Sequence, residues 1–578
     1  MKRKDILDAL NGIDFDMIED AEGQHQRTHN TVWLRWAAVA ACLCLVMGVA
    51  VVLPIALRHG NDRWLDIPDE TTEDENGYDG TDSSEDETMS SETTFEDTTG
   101  VDINGEDSDN ELSTGNNSGT NSNPEKYTDG LVFELNDDKV SYAVVKYEGT
   151  APKVEIPSIF NGKSVTVIAD EAFRNCKNIT DITIPDSIIN IKYASFYGCE
   201  NLTSVEIPNS VTSIGGWAFF QCEKLESIVL GDSVKTIGTY AFGYCTNLVS
   251  VDFADSTPTI GEAAFRDCSS LVTVTIPDGV VSIGKSAFYN CASLENITIP
   301  DSVTGIGEIA FGGVTNIKTA TMPAIAIPHV SRKNLQTVVI SGGDKIPDAS
   351  LYQCKTLTSV TISSGIKSIG QQAFSGCTAL TNINIPNSVT NIGKNAFHNV
   401  NIEHLVIPDG VIQIDESAFS YCGNLKTVAI GKGVKNIGKY AFEQCVALND
   451  ITVMSADANI DRTAFNRCTS LETATIPAQA IMALGYGNTV QTLIINGGTT
   501  IKEMDLMDSV SLKNIEISSS VTTIEALALC DCVNLNSIKF NGTKSQWNAI
   551  TFGERWNSGV PATKVICSDG EIALSQTK

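Results

Sequence analysis

Sixteen cysteines and six histidines are the side chains of this 578-residue chain with the widest chemical repertoire. Thiols can pair as disulfides, hold a metal or attack as nucleophiles, and imidazoles can serve as ligands or bases. Spacing decides among these uses. Cys176, Cys199, Cys222, Cys245, Cys268 and Cys291 follow one another every 23 residues, as do Cys354 and Cys377, and Cys422, Cys445 and Cys468. The histidines fall at 25, 29, 59, 329, 398 and 404, with no His-Glu-x-x-His and no Cys-x-x-Cys, so no metal ligand set is visible. A Gly-x-Ser-x-Gly elbow is also missing. Val314 and Val400 occupy the cysteine register in two copies, and a slot that accepts valine is a packing slot. The thiols are therefore expected to be reduced, buried hydrophobes. Cys530 and Cys532 could be a reactive pair, but Cys532 falls in the regular slot, which leaves Cys530 as a chance substitution. No catalytic set, metal or cofactor is expected, and the chain reads as a non-enzyme.

A fixed period over hundreds of residues is the mark of a solenoid. A full copy runs from Ala218-Phe219 through Cys222, Leu225, Ile228, Leu230 and Val234 to Ile237-Gly238. The Leu-x-x-Val-x-Ile segment is short and β-branched, so it predicts one parallel strand per 23-residue coil. Proline after it cannot donate to a ladder and stops the strand. Asp-Ser or Asn-Ser then supplies a turn, and the glycine after isoleucine is expected to allow a backbone angle that other residues resist. Ala-Phe should lie on the far side of the coil, with phenylalanine filling its centre. Two stretches break the period: Thr319–Pro323 with Val338–Gly343, and, about 154 residues later, Thr473–Pro477 with Leu493–Gly498. They suggest duplication of a larger unit and are expected to be irregular packing units.

The Ala-Phe-x-x-Cys-x-x-Leu pattern resembles the leucine-rich repeats of the BspA, or Treponema pallidum, class of bacterial surface antigens, over about three quarters of the chain. Gly130–Asp138 looks like that family's first capping strand, and Gly542–Trp547 through Cys567–Gly570 like its closing segment. The resemblance implies surface exposure and adhesion or protein binding, with no fixed ligand.

Ahead of the repeats, Ala37–Leu57 is a run of 21 residues without a charge. As a helix it would span about 31 Å, which matches a hydrocarbon core of roughly 30 Å. Trp33 and Trp36 sit at its amino end, and Lys2, Arg3, Lys4, Arg27 and Arg35 precede it, so the positive-inside rule places the amino terminus in the cytoplasm. Ile6, Leu10, Ile13 and Met17 recur at helical spacing within that cytoplasmic segment. The formal net charge of −32 is concentrated in residues 64–125, which hold 20 acidic and no basic residues. Such a stretch cannot bury enough apolar surface to order itself and reads as a disordered acidic linker. The same acidity argues against nucleic-acid partners.

The expected organisation is a cytoplasmic amphipathic segment (1–35), a transmembrane helix (36–57), a disordered acidic stalk (58–128), a leucine-rich-repeat solenoid with caps (129–567) and a tail (568–578). The chain reads as a single-pass cell-membrane protein that presents its solenoid outside the cell. There it would bind a protein or glycan on another surface, or, as a sensor, signal through the amino-terminal helix. Outward strand positions such as Ser204, Ser227, Ser250, Thr273, Thr275 and Asn296 offer hydrogen bonds but no anchor. Rings recur around the Ala-Phe turn, at Tyr193, Tyr197, Trp217, Phe220, Tyr240 and Tyr244, and are the expected ligand-binding residues.

Overall fold

The computed structural model describes residues 113–114, 127–485 and 488–575. The expected cytoplasmic segment, transmembrane helix and most of the stalk lie outside the described residues. Among the described residues, no helix is long and apolar enough to cross a membrane. From Tyr127 onward the chain winds into a parallel β-solenoid of about 18 coils.

The Leu-x-x-Val-x-Ile segments stack as expected. Ser227–Val229 pairs in register with Ser204–Glu206 on one side and Ser250–Asp252 on the other, the central Ile228 pointing inward among Val205 and Val251. This ladder runs unbroken from Lys153–Glu155 to Ser359–Ile362, stops at the coil around Ile383, and resumes from His404–Ile407. The expectation of one strand per coil is corrected. Each regular coil carries a second, two-residue strand at its Thr-Ile or Ser-Ile step: Ser213–Ile214, Thr236–Ile237 and Thr259–Ile260 pair with one another. After the Pro-Asn-Ser turn the chain runs back extended, and the buried isoleucine locks that return into a ladder of its own.

The role expected for the glycine after isoleucine is also corrected. Gly215, Gly238 and Gly261 do not hold positive φ. A Cβ on Gly238 would lie 2.5 Å from the backbone nitrogen of Gly216, so these glycines permit close approach of successive coils. The left-handed conformation falls instead on the residues flanking Ala-Phe. Trp217 (φ 60°) and Gln221 (φ 59°) hold it in one coil, and Tyr240 (54°) and Tyr244 (58°) in the next. Each such residue costs about 1–2 kcal/mol. The geometry is retained because it aims alternate amides at the following coil: Trp217 N–H donates to Thr239 O (2.8 Å), Phe219 N–H to Ala241 O (2.7 Å) and Gln221 N–H to Gly243 O (3.0 Å). Three rows of backbone hydrogen bonds thus tie each regular coil to its neighbours.

Phenylalanine fills the coil centre as expected. Phe173, Phe196, Phe219, Phe242, Phe265, Phe288 and Phe311 form one stack with centroids 4.9–5.4 Å apart, and Phe374, Phe397, Phe419, Phe442 and Phe465 form a second. The gaps fall at the two irregular stretches. There the strand partners Thr319 and Thr337 are only 18 residues apart, and the coil closes through a 3-10 helix, Ala324–His329, in place of the second strand and the Ala-Phe turn. Ala478–Leu484 repeats this arrangement. Because the short coil lacks a turn at one corner, its neighbours meet there directly. Ser341 Oγ donates to Asp301 Oδ1 (2.6 Å), and in the second copy Asn496 Nδ2 donates to Val453 O (2.6 Å).

Both ends are capped. Leu131–Leu135 pairs antiparallel with Tyr142–Tyr147, and its outer edge accepts Ser113–Thr114, a short strand within the stretch expected to be disordered. That edge carries free N–H and C=O groups, and pairing satisfies them. At the other end Lys564–Cys567 folds back antiparallel onto Gly570–Ala573, so the closing strand extends into the expected tail. Lys544–Asn548 is a helix capped reciprocally by Thr543 and Gln546, with Trp547 buried beneath it.

Candidate binding surface

The cysteine ladder is buried except at its first member, Cys176, which is half-buried. All fourteen described cysteines are free, and from Cys199 onward each thiol in the regular slots donates to a carbonyl of the preceding coil, as Cys222 Sγ does to Phe196 O (3.3 Å) and Cys245 Sγ to Phe219 O (3.2 Å). Burial pushes the Cys245 thiol up to about 12 and the Cys222 and Cys268 thiols well above their ordinary value. Val314 and Val400 are buried in the same slot. Cys532 keeps to the ladder, bonding Leu506 O, while Cys530 turns to the Asp531 carboxylate.

The described histidines do not assemble a catalytic set with the serines beside them. His398 Nδ1 lies 2.8 Å from Ser420 Oγ, but that hydroxyl is buried and donates its own proton to Ser417 O, so the imidazole acts as the donor and the serine is not activated. Burial lowers the His398 pKa. His404 pairs with Thr427 Oγ1 on the next strand (2.8 Å). Among the described residues no group of three or more His, Cys, Asp or Glu side chains is placed to hold a metal.

The rings of the early coils do come together. Their positions follow from the 23-residue period, which brings Tyr197 beside Phe220 and Trp217 beside Tyr240 in successive coils. Trp217 and Tyr240 stack at 4.7 Å, Tyr197 and Phe220 at 5.2 Å, and Trp217 leans on Phe220 at 4.4 Å. Phe220 also meets Tyr244 edge-on at 5.2 Å. Gly243 makes this possible, since a Cβ there would lie 3.0 Å from both the Phe220 and Tyr240 rings. Tyr193 stands at the border, 51% exposed, with its ring 3.8 Å from where a Cβ on Gly216 would sit. Five of the six expected residues thus form one cluster, with the sixth at its edge.

Exposure within the cluster is graded. Phe220 is only 7% exposed and serves as its floor, Tyr197, Trp217 and Tyr240 are half-buried, and Tyr244 is 38% exposed. Because the rings stack from coil to coil, their faces are largely spent on one another. What reaches solvent is mainly edges and phenol hydroxyls.

The cluster is longer than the six rings. Arg174 lies 4.8 Å over the Tyr197 ring at one end, and Arg266 lies 4.7 Å over Tyr289 at the other. The signal for these was present: 174, 197, 220, 243, 266 and 289 are one register position in six coils. Around the rings, residues 215–222 and 238–245 contain no charged side chain. Ion pairs of both signs lie beyond, Arg174 with Glu171, Lys177 with Glu200 (2.5 Å) and Arg266 with Asp267 (3.1 Å).

The strand face differs. Ser204, Ser227, Ser250, Thr273 and Thr275 are exposed and Asn296 is half-buried, with no ring among them. A concavity of about 920 Å³ on it is lined by Asp181, Asp186, Ser204, Glu206, Asn209 and Asp232 among others.

A family model described as the BspA type leucine rich repeat region matches residues 152–271, 235–327, 344–472 and 486–557. No curated protein matches the chain. Among solved structures, a leucine-rich repeat protein from Bacteroides ovatus is 24% identical, with 76% of this chain and 98% of that one covered at a TM-score of 0.33. A leucine rich cell surface protein from Faecalibacterium prausnitzii is 28% identical over 74% and 98%, at a TM-score of 0.26. The T. pallidum leucine rich repeat protein is 22% identical over 43% and 88%, at 0.23.

Proposed function

Because the chain belongs to the BspA-type leucine-rich-repeat family, we propose that it is a cell-surface binding or adhesion protein, held by residues 36–57 and presenting its solenoid outside the cell. The observation that carries the binding reading is the aromatic cluster at Tyr193, Tyr197, Trp217, Phe220, Tyr240 and Tyr244. Exposed rings on a water-facing surface lose stabilisation that a partner would restore. The anchor reading rests on the uncharged run Ala37–Leu57 and the cationic residues before it. The acidic residues ahead of Ser113 then serve as a solvated spacer between membrane and solenoid.

The partner of such a cluster is a protein in preference to a glycan. A sugar ring packs on an exposed aromatic face, and these faces are largely occupied by neighbouring rings. Edges and hydroxyls instead suit the mixed apolar and hydrogen-bonding contacts of a protein surface. The strand face, with its hydroxyls and carboxylates, has no such anchors.

Protease added to intact cells tests the orientation. Release of the solenoid by cleavage in the stalk, with residues 1–57 protected, is the expected result; solenoid resistant on intact cells and cut only after lysis would overturn it. A sensor is the second reading, favoured by Ile6, Leu10, Ile13 and Met17 at helical spacing. It requires a specific cytoplasmic partner, and a pull-down with residues 1–35 that recovers none would set it aside.

A further inference from the structure

We propose that the partner of the aromatic cluster is a second copy of this chain, docked face to face with the coil order reversed. The proposal rests on reading the cluster as the binding surface, and it follows from how the side chains are distributed about the cluster's midpoint.

That midpoint lies between the Phe219 coil and the Phe242 coil, where Trp217 stacks on Tyr240. A twofold axis lying in the interface and crossing the solenoid at this point preserves each register position and exchanges coils in pairs. The Phe219 coil of one copy then faces the Phe242 coil of the other, and the Phe196 coil faces the Phe265 coil. Trp217 comes opposite the partner's Tyr240. Tyr197 comes opposite the partner's Arg266, a ring against a guanidinium.

The charges match in the same operation. Lys192 and Tyr193 come opposite the partner's Gly261 and the partner's Glu262. Lys192 and Glu262 are both exposed, and neither makes an ion pair among the described residues, unlike Arg174, Lys177 and Arg266 around them. In the pair of copies, Glu262 accepts from the phenol of Tyr193 and lies beside the Lys192 ammonium, twice over by symmetry.

Sedimentation velocity of the full-length chain in detergent, across micromolar concentrations, measures the self-association. The wild type should dimerise. Lys192→Glu and Glu262→Lys should each weaken the dimer by about tenfold or more, because every dimer loses two contacts and gains two repulsions. The double reversal should restore it to within a few-fold of wild type. Unchanged melting curves for all three variants keep folding out of the comparison. A second readout is independent of affinity. Tyr193→Cys with Glu262→Cys should oxidise to a covalent dimer, since the two positions in one chain are three coils and about 14 Å apart, beyond the reach of a disulfide.

A wild type that stays monomeric, single reversals that leave the dimer intact, or a double reversal that fails to restore it would each overturn the proposal. Such failure is separable from failure of the binding reading. If the chain is monomeric yet loses binding to other proteins when the rings are removed, the surface stands and self-pairing falls.

Discussion

Trp217 and Tyr240 stack with centroids 4.7 Å apart and planes 26° from parallel, and both residues hold left-handed backbone angles, 60° and 54°. The two facts are linked. The left-handed residue before each Ala-Phe turns the amide toward the next coil, and it sets successive side chains at that register one above another. A stack of rings follows wherever the sequence supplies rings there, which it does in these two coils. The strain of the solenoid backbone and the candidate surface thus share one position.

Phe265 lies in the middle of its stack, 5.2 Å from both Phe242 and Phe288, and fully buried. Replacing it with alanine should cost about 3–5 kcal/mol through lost packing and the cavity left behind. Coils contact only their neighbours, so the loss should broaden the unfolding transition rather than abolish folding. Calorimetry of the variant checks this, and an unchanged profile would place Phe265 outside the core's energetics.

The ladder thiols should react slowly in the folded protein. Cys245, Cys291 and Cys422 are each pushed up to about 12 by burial, so the thiolate is scarce at neutral pH as well as inaccessible. Iodoacetamide should label them promptly after denaturation and hardly before. Mass spectrometry of unreduced protein that joined Cys199 to Cys222 would contradict the packing role.

Asp505 stands where regular coils have the alanine of Ala-Phe, and burial, with Glu525 adding to it, raises its carboxyl to about 6. A raised acid pKa means the folded state holds its proton more tightly than the unfolded chain. The associated stability is present below about pH 4 and is lost as pH rises through 6. Asp505→Asn should therefore melt above wild type at pH 7 and converge with it near pH 4. Parallel melting curves across that range would show that Asp505 has no such linkage.

Much of this architecture was legible in the sequence because the repeat supplies its own substitution series. Val314 and Val400 identified the cysteine slot as packing, and Phe219 and its equivalents marked the centre. The second strand was not legible, because two residues such as Thr236–Ile237 are too short to show alternation. The left-handed positions were hidden for another reason. Trp217 and Tyr240 are residues that avoid that conformation in isolation, and hydrogen bonds to the next coil override the preference. Glycine is the residue that marks such angles in a sequence, yet Gly238 serves close approach. The ring cluster is legible in the 23-residue spacing, whereas Arg174 and Arg266 share its register without being aromatic and so stand outside a pattern of rings. The Ser341–Asp301 contact joins coils that are not consecutive, which no local pattern encodes.

The claim that the aromatic cluster is the binding surface is tested most directly by comparing the wild type with Trp217→Ala/Phe220→Ala in binding to purified surface proteins and to a second copy of the chain. Folding of the variant is verified separately by its melting curve. The account predicts a loss of at least about 2 kcal/mol, roughly thirtyfold in affinity, because truncating clustered aromatic anchors removes most of an interface's binding energy. Full binding by the folded double variant would contradict it.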